Sequence, residues 1–158
     1  MIENGTQAPQ TPPTAALIDA LRALLGAKGF TQDPEIMAPW LSDWRGTVHG
    51  ASAAMLSPAN TAEVQEIVRL CAAHGAKLTI QGGNSGMVAG ATPNDSGNAI
   101  LLSLRRMNTI RHIDCDAQTL SADAGVILAN AHDAATAKGL RFPLTLGGKG
   151  SATLGGLV

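Results

Sequence analysis

Hydrophobic positions along the chain recur at helical spacing in three segments. The first set follows Thr14, a residue suited to an N-cap, and predicts a helix that ends near Gly26 or Gly29; its members are Leu17, Leu21, Leu24 and Leu25. The second set follows Asn60 and Glu63, which fit a capping box, and ends at Gly75 as a C-cap; its members are Val64, Ile67, Val68 and Cys71. An alanine-rich segment, residues 126–138, predicts a third helix that ends at Gly139.

Shorter apolar runs predict strands between these helices. They cover residues 53–56, 76–80, 99–104, 110–113 and 119–122. The run at 76–80 is expected to be a buried strand, and the run at 99–104 is apolar almost throughout. Residues 53–80 therefore form a strand–helix–strand unit of the β-α-β type. Open α/β sheets commonly bind ligands at the carboxyl ends of such strands.

The segment directly after the strand at 76–80 has the composition of a ligand loop. Residues 81–90 include four glycines, at 82, 83, 86 and 90. Glycine has no Cβ, so the backbone of such a loop can approach another molecule closely. Successive main-chain N–H groups in a tight turn make a concave site for an anion, above all a phosphate or pyrophosphate. Asn84 and Ser85 add short polar side chains to this site, and the alternative is a glycine-rich connector that binds no ligand.

Composition narrows the possible functions. A chain of 158 residues with 45% apolar but only 3% aromatic residues suits one domain with an aliphatic core. The net charge of −1, with no basic cluster beyond Arg105-Arg106, argues against nucleic acid as a partner. Neither a signal peptide nor a transmembrane run of about 18 apolar residues is present, so a cytoplasmic location is expected. Cys71 and Cys115 form no CxxC pair and are expected to be buried free thiols, and no metal site is expected.

A second glycine-rich segment, residues 143–156, carries five further glycines together with Ser151 and Thr153. Neither segment matches a familiar nucleotide motif. No G-x-G-x-x-G of the Rossmann type occurs, and Lys149 is followed by Gly150 rather than by the Ser or Thr of a P-loop. Two glycine-and-hydroxyl loops at strand ends indicate one elongated ligand held at two places. A dinucleotide with a central pyrophosphate fits that requirement.

Five motifs occur in a fixed order along the chain. They are Asp43-Trp44-Arg45-Gly46, Pro58 with Glu63-Val64, residues 81–86, Arg106-Met107-Asn108 and residues 146–151. In this order they resemble the flavin-binding half of FAD-linked oxidases with the fold of vanillyl-alcohol oxidase and p-cresol methylhydroxylase. The chain is most similar to the D-2-hydroxyacid dehydrogenase branch, which includes D-lactate and D-2-hydroxyglutarate dehydrogenases and the glycolate oxidase flavoprotein subunit. The resemblance runs from about residue 40 to the last residue.

The resemblance implies an α+β fold of the FAD-binding PCMH type. It consists of a small strand–helix–strand subdomain followed by the start of a second mixed sheet, incomplete at the C-terminus. Three prolines among polar residues, at 9, 12 and 13, indicate a flexible tail at 1–13, a helical lead-in follows at 14–50, and the resemblance implies the truncated FAD-binding domain at 51–158. The branch is roughly three times this long, and its substrate-binding Arg, catalytic His and metal ligands cannot be located here. The isolated chain is therefore expected to be a fragment without turnover and with weak FAD affinity at best.

The same resemblance implies a set of cofactor-binding residues. They are Gln81, Gly82, Gly83, Asn84, Ser85, Gly86, Gly90, Pro143, Gly148, Gly150, Ser151, Thr153, Gly155 and Gly156. Residues 81–86 would bind the FAD pyrophosphate through backbone amides, and the second segment would line the ribityl and isoalloxazine portion. Some relatives attach flavin covalently through a His where this chain has Asn84, so non-covalent FAD is expected. Lys149 either offsets charge near the cofactor or is an exposed loop lysine, and Trp44 is expected to be a packed aromatic beside an Asp43–Arg45 ion pair.

The implied activity of a full-length parent is transfer of a hydride from the α-carbon of a small 2-hydroxy acid to flavin N5. A quinone, a cytochrome or an electron-transfer flavoprotein would accept the electrons, and the parent is cytoplasmic or peripheral at the membrane. One alternative is a non-catalytic truncated fragment that binds little or no FAD. Another is a flavoprotein like UDP-N-acetylenolpyruvoylglucosamine reductase, which shares the fold.

Overall fold

A computed structural model describes residues 11–158. The helices are α1 (Ala15–Gly29), α2 (Pro34–Met37), α3 (Thr61–Ala73) and α4 (Leu128–Thr136). The strands are β1 (Phe30–Thr31), β2 (Met55–Leu56), β3 (Lys77–Gln81), β4 (Ala99–Ser103), β5 (Ile110–Asp114) and β6 (Thr119–Ala122). Single 3₁₀ turns cover Ala38–Trp40 and Leu154–Gly156. Most of the expected tail at 1–13 lies outside the described residues.

Four strands form a mixed sheet in the order β1-β2-β4-β3. Strands β2, β4 and β3 run parallel, and β1 is antiparallel to β2. The β2–α3–β3 unit agrees with the expected strand–helix–strand arrangement, with β4 inserted between its two strands. Because the three strands are parallel, the segment after Gln81 leaves the same sheet edge as the segment after Ser103, where the Leu104 N–H donates to the Gln81 carbonyl at 3.0 Å.

The core lies on both faces of this sheet. On one face α1 and α3 pack on β2 and β4 through Leu17, Leu21, Leu56, Ile67, Cys71, Ile100 and Leu102. On the other face Met55 and Leu101 pack against Met37, Trp40 and Leu41. All five residues of β4 are buried, as its apolar composition predicts for a strand covered on both faces.

The predicted N-caps of α1 and α3 and the glycines predicted to follow α3 and α4 are confirmed. The Thr14 side chain accepts a hydrogen bond from the Leu17 N–H at 3.3 Å. Asn60 Oδ1 accepts from the Glu63 N–H at 2.9 Å, and Glu63 Oε2 accepts from the Ala59 N–H at 2.8 Å, which completes a capping arrangement. Gly75 and Gly139 follow α3 and α4 with φ of 64° and 72°, values that favour glycine.

Three expectations about individual elements were wrong. Strand β3 is an edge strand, so Ile80 is 61% exposed and only Gln81 is buried. Val68 points away from the core and is 48% exposed, while Leu70 packs against the core instead. Helix α4 begins at Leu128 rather than at 126, because Ile127 is extended and forms a β-bridge with Thr153.

The second sheet is the antiparallel pair β5–β6. Next to it the buried Asp123 carboxylate accepts hydrogen bonds from Arg111 Nε at 2.9 Å and from the Thr109 N–H at 3.2 Å. The cysteines differ from the expectation, since Cys71 is buried but Cys115 is exposed. Among residues 11–158, no helix is long and apolar enough to cross a membrane, and no His, Cys, Asp and Glu side chains cluster as a metal site.

Candidate functional site

The two glycine-rich segments meet at the carboxyl edge of the parallel strands. Together they enclose a cavity of about 320 Å³. Its walls are Gly82, Gly83, Asn84, Ser85, Gly86, Ala91, Leu146, Ala152, Thr153, Gly156 and Leu157. None of these lining residues is acidic, so the described walls offer an anion no carboxylate to repel it. The fold thus places residues about seventy positions apart around one space.

The glycines of the first segment serve two different purposes. A Cβ on Gly83 would lie 1.7 Å from the Ser151 carbonyl oxygen, and a Cβ on Gly82 would lie 2.2 Å from Thr153 Oγ1. Gly83 therefore lets the two segments pack backbone against backbone, and Gly82 makes room for the Thr153 side chain. A Cβ on Gly86 or Gly90 would meet no atom within 4 Å. The open positions leave the backbone accessible to another molecule.

The first glycine-rich segment offers main-chain N–H groups as hydrogen-bond donors. Among the described residues, no N–H from Gly82 to Ala91 donates a hydrogen bond to another part of the protein. Residues 82–85 are half-buried and line the cavity, where main-chain donors are normally paired, so their unpaired N–H groups indicate a site for an acceptor-rich ligand. Asn84 and Ala89 have φ of 51° and 56°, which lie in the left-handed region, so the backbone changes direction at both residues.

Gln81 lies beneath the loop rather than in the cavity. Its side chain is 1% exposed, and Nε2 donates to the Trp40 carbonyl at 3.0 Å and the Ala91 carbonyl at 2.9 Å. These two bonds join the start of the loop to its end and to the 3₁₀ turn. Its Oε1 is buried and has no hydrogen-bond partner among the described residues.

Asn84 joins the loop to the segment before β2. Its Nδ2 donates to the Ser42 carbonyl at 2.7 Å. The positive φ of Asn84 is a conformation that Asn tolerates better than most residues. The side chain of Asn84 is therefore used to hold the loop, and its backbone lines the cavity.

The turn at 43–48 is organised by a buried carboxylate. Asp43 Oδ1 accepts from the N–H groups of Thr47 and Val48, each at 2.7 Å, and Arg45 Nε is 3.8 Å from Oδ2. These main-chain hydrogen bonds, with that of Val48 first, hold the pKa of Asp43 below its ordinary value of 3.8. The expectation of a packed Trp44 was wrong, because its side chain is 63% exposed. Sequence reasoning missed the Asp43 turn, although Asp at the first and Gly at the fourth position, here Asp43 and Gly46, are a signal for a β-turn.

The second segment bonds mostly to itself and to α4. The Ala152 and Ser151 N–H groups donate to the Gly148 carbonyl, and the Leu128 N–H donates to the Ala152 carbonyl at 2.9 Å. Thr153 is 3% exposed, and a Cβ on Gly155 would lie 2.6 Å from the Ala124 Cβ. This segment therefore forms a wall of the cavity more than a set of free donors.

A family profile described as an FAD binding domain matches residues 52–158. The chain belongs to this family of FAD-binding domains. It is 34% identical over 141 residues to a mitochondrial D-2-hydroxyglutarate dehydrogenase of Arabidopsis thaliana, covering 89% of this chain and 25% of the relative. It is 37% identical over 146 residues to a mitochondrial Schizosaccharomyces pombe protein named as a D-lactate dehydrogenase, covering 88% and 27%.

The fold agrees with this family. A solved structure of p-cresol methylhydroxylase superposes with a TM-score of 0.71 at 20% identity, covering 87% of this chain and 27% of the other. The expected α+β fold of the PCMH type is thereby confirmed. The chain spans about a quarter of the length of the relatives and structures it matches.

The residues of this FAD-binding domain fit the cofactor. FAD carries a pyrophosphate, and the cavity offers it unpaired N–H groups, the open glycine Gly86 and no acidic wall among the residues described. The structure brings most of the predicted cofactor residues to this place, seven of them on the cavity wall: Gly82, Gly83, Asn84, Ser85, Gly86, Thr153 and Gly156. Gly90 and Gly155 line an adjacent cavity, and Gly148 lies within contact distance of Ser85.

Four predicted residues of the FAD-binding domain lie apart from this cavity. Gln81 is buried beneath it, as described above. Gly150 and Ser151 line a neighbouring cleft, and Pro143 lines a third one beside Phe142. Lys149 is exposed on its loop.

Proposed function

We propose that this chain is the FAD-binding part of a flavin-dependent D-2-hydroxyacid dehydrogenase. The unpaired N–H groups of residues 82–86, which line an uncharged cavity, carry the cofactor half of this proposal. The names of the two relatives, a D-2-hydroxyglutarate and a D-lactate dehydrogenase, support the substrate half. These names favour a hydroxyacid dehydrogenase over the reductase alternative.

In this proposal the residues of the first segment bind the pyrophosphate. The N–H groups of residues 82–86 donate to its oxygens, and Gly86 lets the backbone approach them without a side chain between. Thr153 and Gly156 close the opposite wall. Bound FAD supplies the acceptor for a hydride from the substrate α-carbon. The chain's own part is to fix the cofactor and to keep one side of it away from water.

The attachment of the flavin is proposed to be non-covalent. Asn84 has no nucleophilic side chain, and its amide is bonded to the Ser42 carbonyl at 2.7 Å. Acid precipitation of the flavin-loaded chain should leave all the flavin in the supernatant. Flavin retained in the washed pellet would contradict this.

Binding of FAD is tested by equilibrium dialysis of the chain and its Gly86→Val variant. A Cβ added at position 86 has open space around it, so the variant should fold, while the valine side chain would stand where the pyrophosphate is proposed. We expect micromolar FAD affinity for the parent chain and at least a tenfold loss in the variant, about 1.4 kcal/mol. Equal affinities would refute the placement of the pyrophosphate. No binding to either protein would favour the alternative of a fragment without cofactor.

The remaining parts of the proposal concern the whole protein. We propose a small 2-hydroxy acid as substrate and a quinone, a cytochrome or an electron-transfer flavoprotein as acceptor. The division at residues 13 and 50 also stays a proposal; helix α1 and strand β1 pack into the same core as β2. A cytoplasmic location is proposed from sequence, whereas the two relatives are named as mitochondrial. Cell fractionation with an antibody to the chain distinguishes these locations.

A further inference from the structure

A second cleft, of about 310 Å³, shares only Gly83 and Thr153 with the proposed cofactor cavity. Its walls are Trp40, Gly83, Arg105, Asn108, Gly125, Ile127, Asn130, Gly150, Ser151 and Thr153. No acidic residue is present among these described walls, and one cationic side chain is. The cleft therefore differs from the cofactor cavity in presenting a cationic side chain.

Arg105 is held in place by an aromatic ring. Its guanidinium carbon lies over the Trp40 ring, 3.4 Å from the ring centroid, a cation–π contact that holds the guanidinium against the ring. Its one hydrogen bond to protein is from Nε to Ser103 Oγ at 3.5 Å, and within residues 11–158 it pairs with no carboxylate. Partial burial lowers the pKa of Arg105, yet the group stays charged at physiological pH.

Two amide side chains stand at the same cleft. Asn108 follows β4, and Asn130 lies in the first turn of α4. Within the described part of the chain, neither side chain makes a hydrogen bond to protein. One guanidinium held against an aromatic ring and two exposed amides thus place side-chain N–H donors around the cleft.

We propose that this cleft binds a small oxyanion, a carboxylate or a phosphate. A guanidinium presents two parallel N–H donors that match two oxygens of such a group, and the stacking on Trp40 reduces the entropy lost on binding. Asn108 or Asn130 would donate to a remaining oxygen. The cleft borders the first segment at Gly83, and the oxyanion proposal rests on Arg105, Asn108 and Asn130 rather than on the N–H groups of that segment.

The chain offers a direct optical test. It has two tryptophans, so the Trp44→Phe variant leaves Trp40, against which Arg105 stacks, as the only one. The Trp44→Phe variant is titrated with sodium phosphate and, separately, with sodium acetate at constant ionic strength. We expect a saturable change in fluorescence with at least one anion. Saturation by phosphate alone, by acetate alone or by both identifies the group bound, and saturation by neither overturns the proposal.

Charge and position are separated by three further variants. Arg105→Gln should weaken binding at least tenfold, and Arg105→Lys should weaken it measurably because it keeps the charge but loses the planar stack. Arg141→Gln, which removes the same charge at an exposed site outside this cleft, should leave the affinity unchanged. Calorimetric titration with phosphate gives a readout independent of Trp40. An equal loss of anion affinity in the Arg141→Gln variant would show that net charge alone explains the weaker binding, and it would overturn the proposed site.

A cross-check distinguishes this cleft from the cofactor cavity. Gly86→Val blocks the first segment and should not change the anion affinity, since Gly86 does not line the cleft. If Gly86→Val abolishes anion binding while Arg105→Gln does not, the anion binds at the N–H groups of the loop and the proposal is wrong.

Discussion

The contact between the two glycine-rich segments can be tested by adding one methyl group to Gly83. Gly83 packs against the backbone of Ser151, and its ideal Cβ would lie 1.7 Å from the Ser151 carbonyl oxygen and 2.6 Å from the carbonyl carbon. Both neighbours are backbone atoms, so no side chain can rotate away. The Gly83→Ala variant can fold only if one segment moves away from the other.

The size of the effect follows from this geometry. Ordinary contact between such atoms is about 3.4 Å or more, so the segments must separate by roughly 1.5 Å. A displacement of that kind in a packed region costs about 2–3 kcal/mol. For a chain of this size, such a loss lowers the Tm by about 4–12 °C. The hydrogen bond from the Leu128 N–H to the Ala152 carbonyl would be weakened as well, because it lies in the segment that must move.

Thermal unfolding followed by circular dichroism measures this loss, with Gly86→Ala as the matched control. A Cβ on Gly86 meets no atom within 4 Å, so the control should keep its Tm within about 2 °C or gain slightly from the reduced entropy of the unfolded chain. Equal Tm values for the parent and Gly83→Ala would show that the two segments do not pack as described. A large loss in Gly86→Ala would refute the division of the glycines into packing and open positions.

Three further predictions concern the supports of the site. Asp43→Asn should lower the Tm at neutral pH, and the difference in Tm between the parent and the variant should shrink as the pH falls below about 4. The reason is that the pKa of Asp43 is lowered in the folded chain, so its contribution to stability is lost when it is protonated. A Tm difference that does not change with pH would contradict this. Gln81→Met removes the hydrogen bonds to the Trp40 and Ala91 carbonyls and should lower the free energy of unfolding in urea by about 1–3 kcal/mol. An unchanged urea midpoint would show that these two hydrogen bonds do not stabilise the fold. Ile67→Ala empties a fully buried core position and should cost about 2–5 kcal/mol, whereas Val68→Ala, at an exposed neighbour, should cost less than about 1 kcal/mol.

Local signals in the sequence were sufficient for most of the helices and strands. Thr14, Asn60 and Gly75 act at helix ends through bonds or backbone angles within a few residues, so their types alone predicted them. The exposure of Ile80 could not be predicted in this way. Its strand has a buried composition but lies at the sheet edge, because β4 inserts between β2 and β3. Strand order depends on contacts between distant segments, which periodicity does not report.

In the candidate site, too, contacts between distant segments could not be predicted from the sequence. Glycine content predicted a loop that approaches a ligand, yet Gly82 and Gly83 are close to residues 151–153 instead. The glycines with open space beside them, Gly86 and Gly90, have the same sequence signature as the packing ones. Only the position of the second segment separates the two classes.

The loop is supported from three sides by the protein itself. Gln81 bonds its two ends together from below, Asn84 bonds it to the Ser42 carbonyl, and residues 151–153 pack across it. A ten-residue loop of free N–H groups would otherwise lose much conformational entropy on binding a ligand. Because these contacts order the loop before a ligand arrives, that entropy is lost on folding and does not weaken the binding. In the proposed function the side chains of Gln81 and Asn84 therefore contribute to ligand binding only through the backbone they position, because Gln81 Nε2 and Asn84 Nδ2 donate to main-chain carbonyls of the protein.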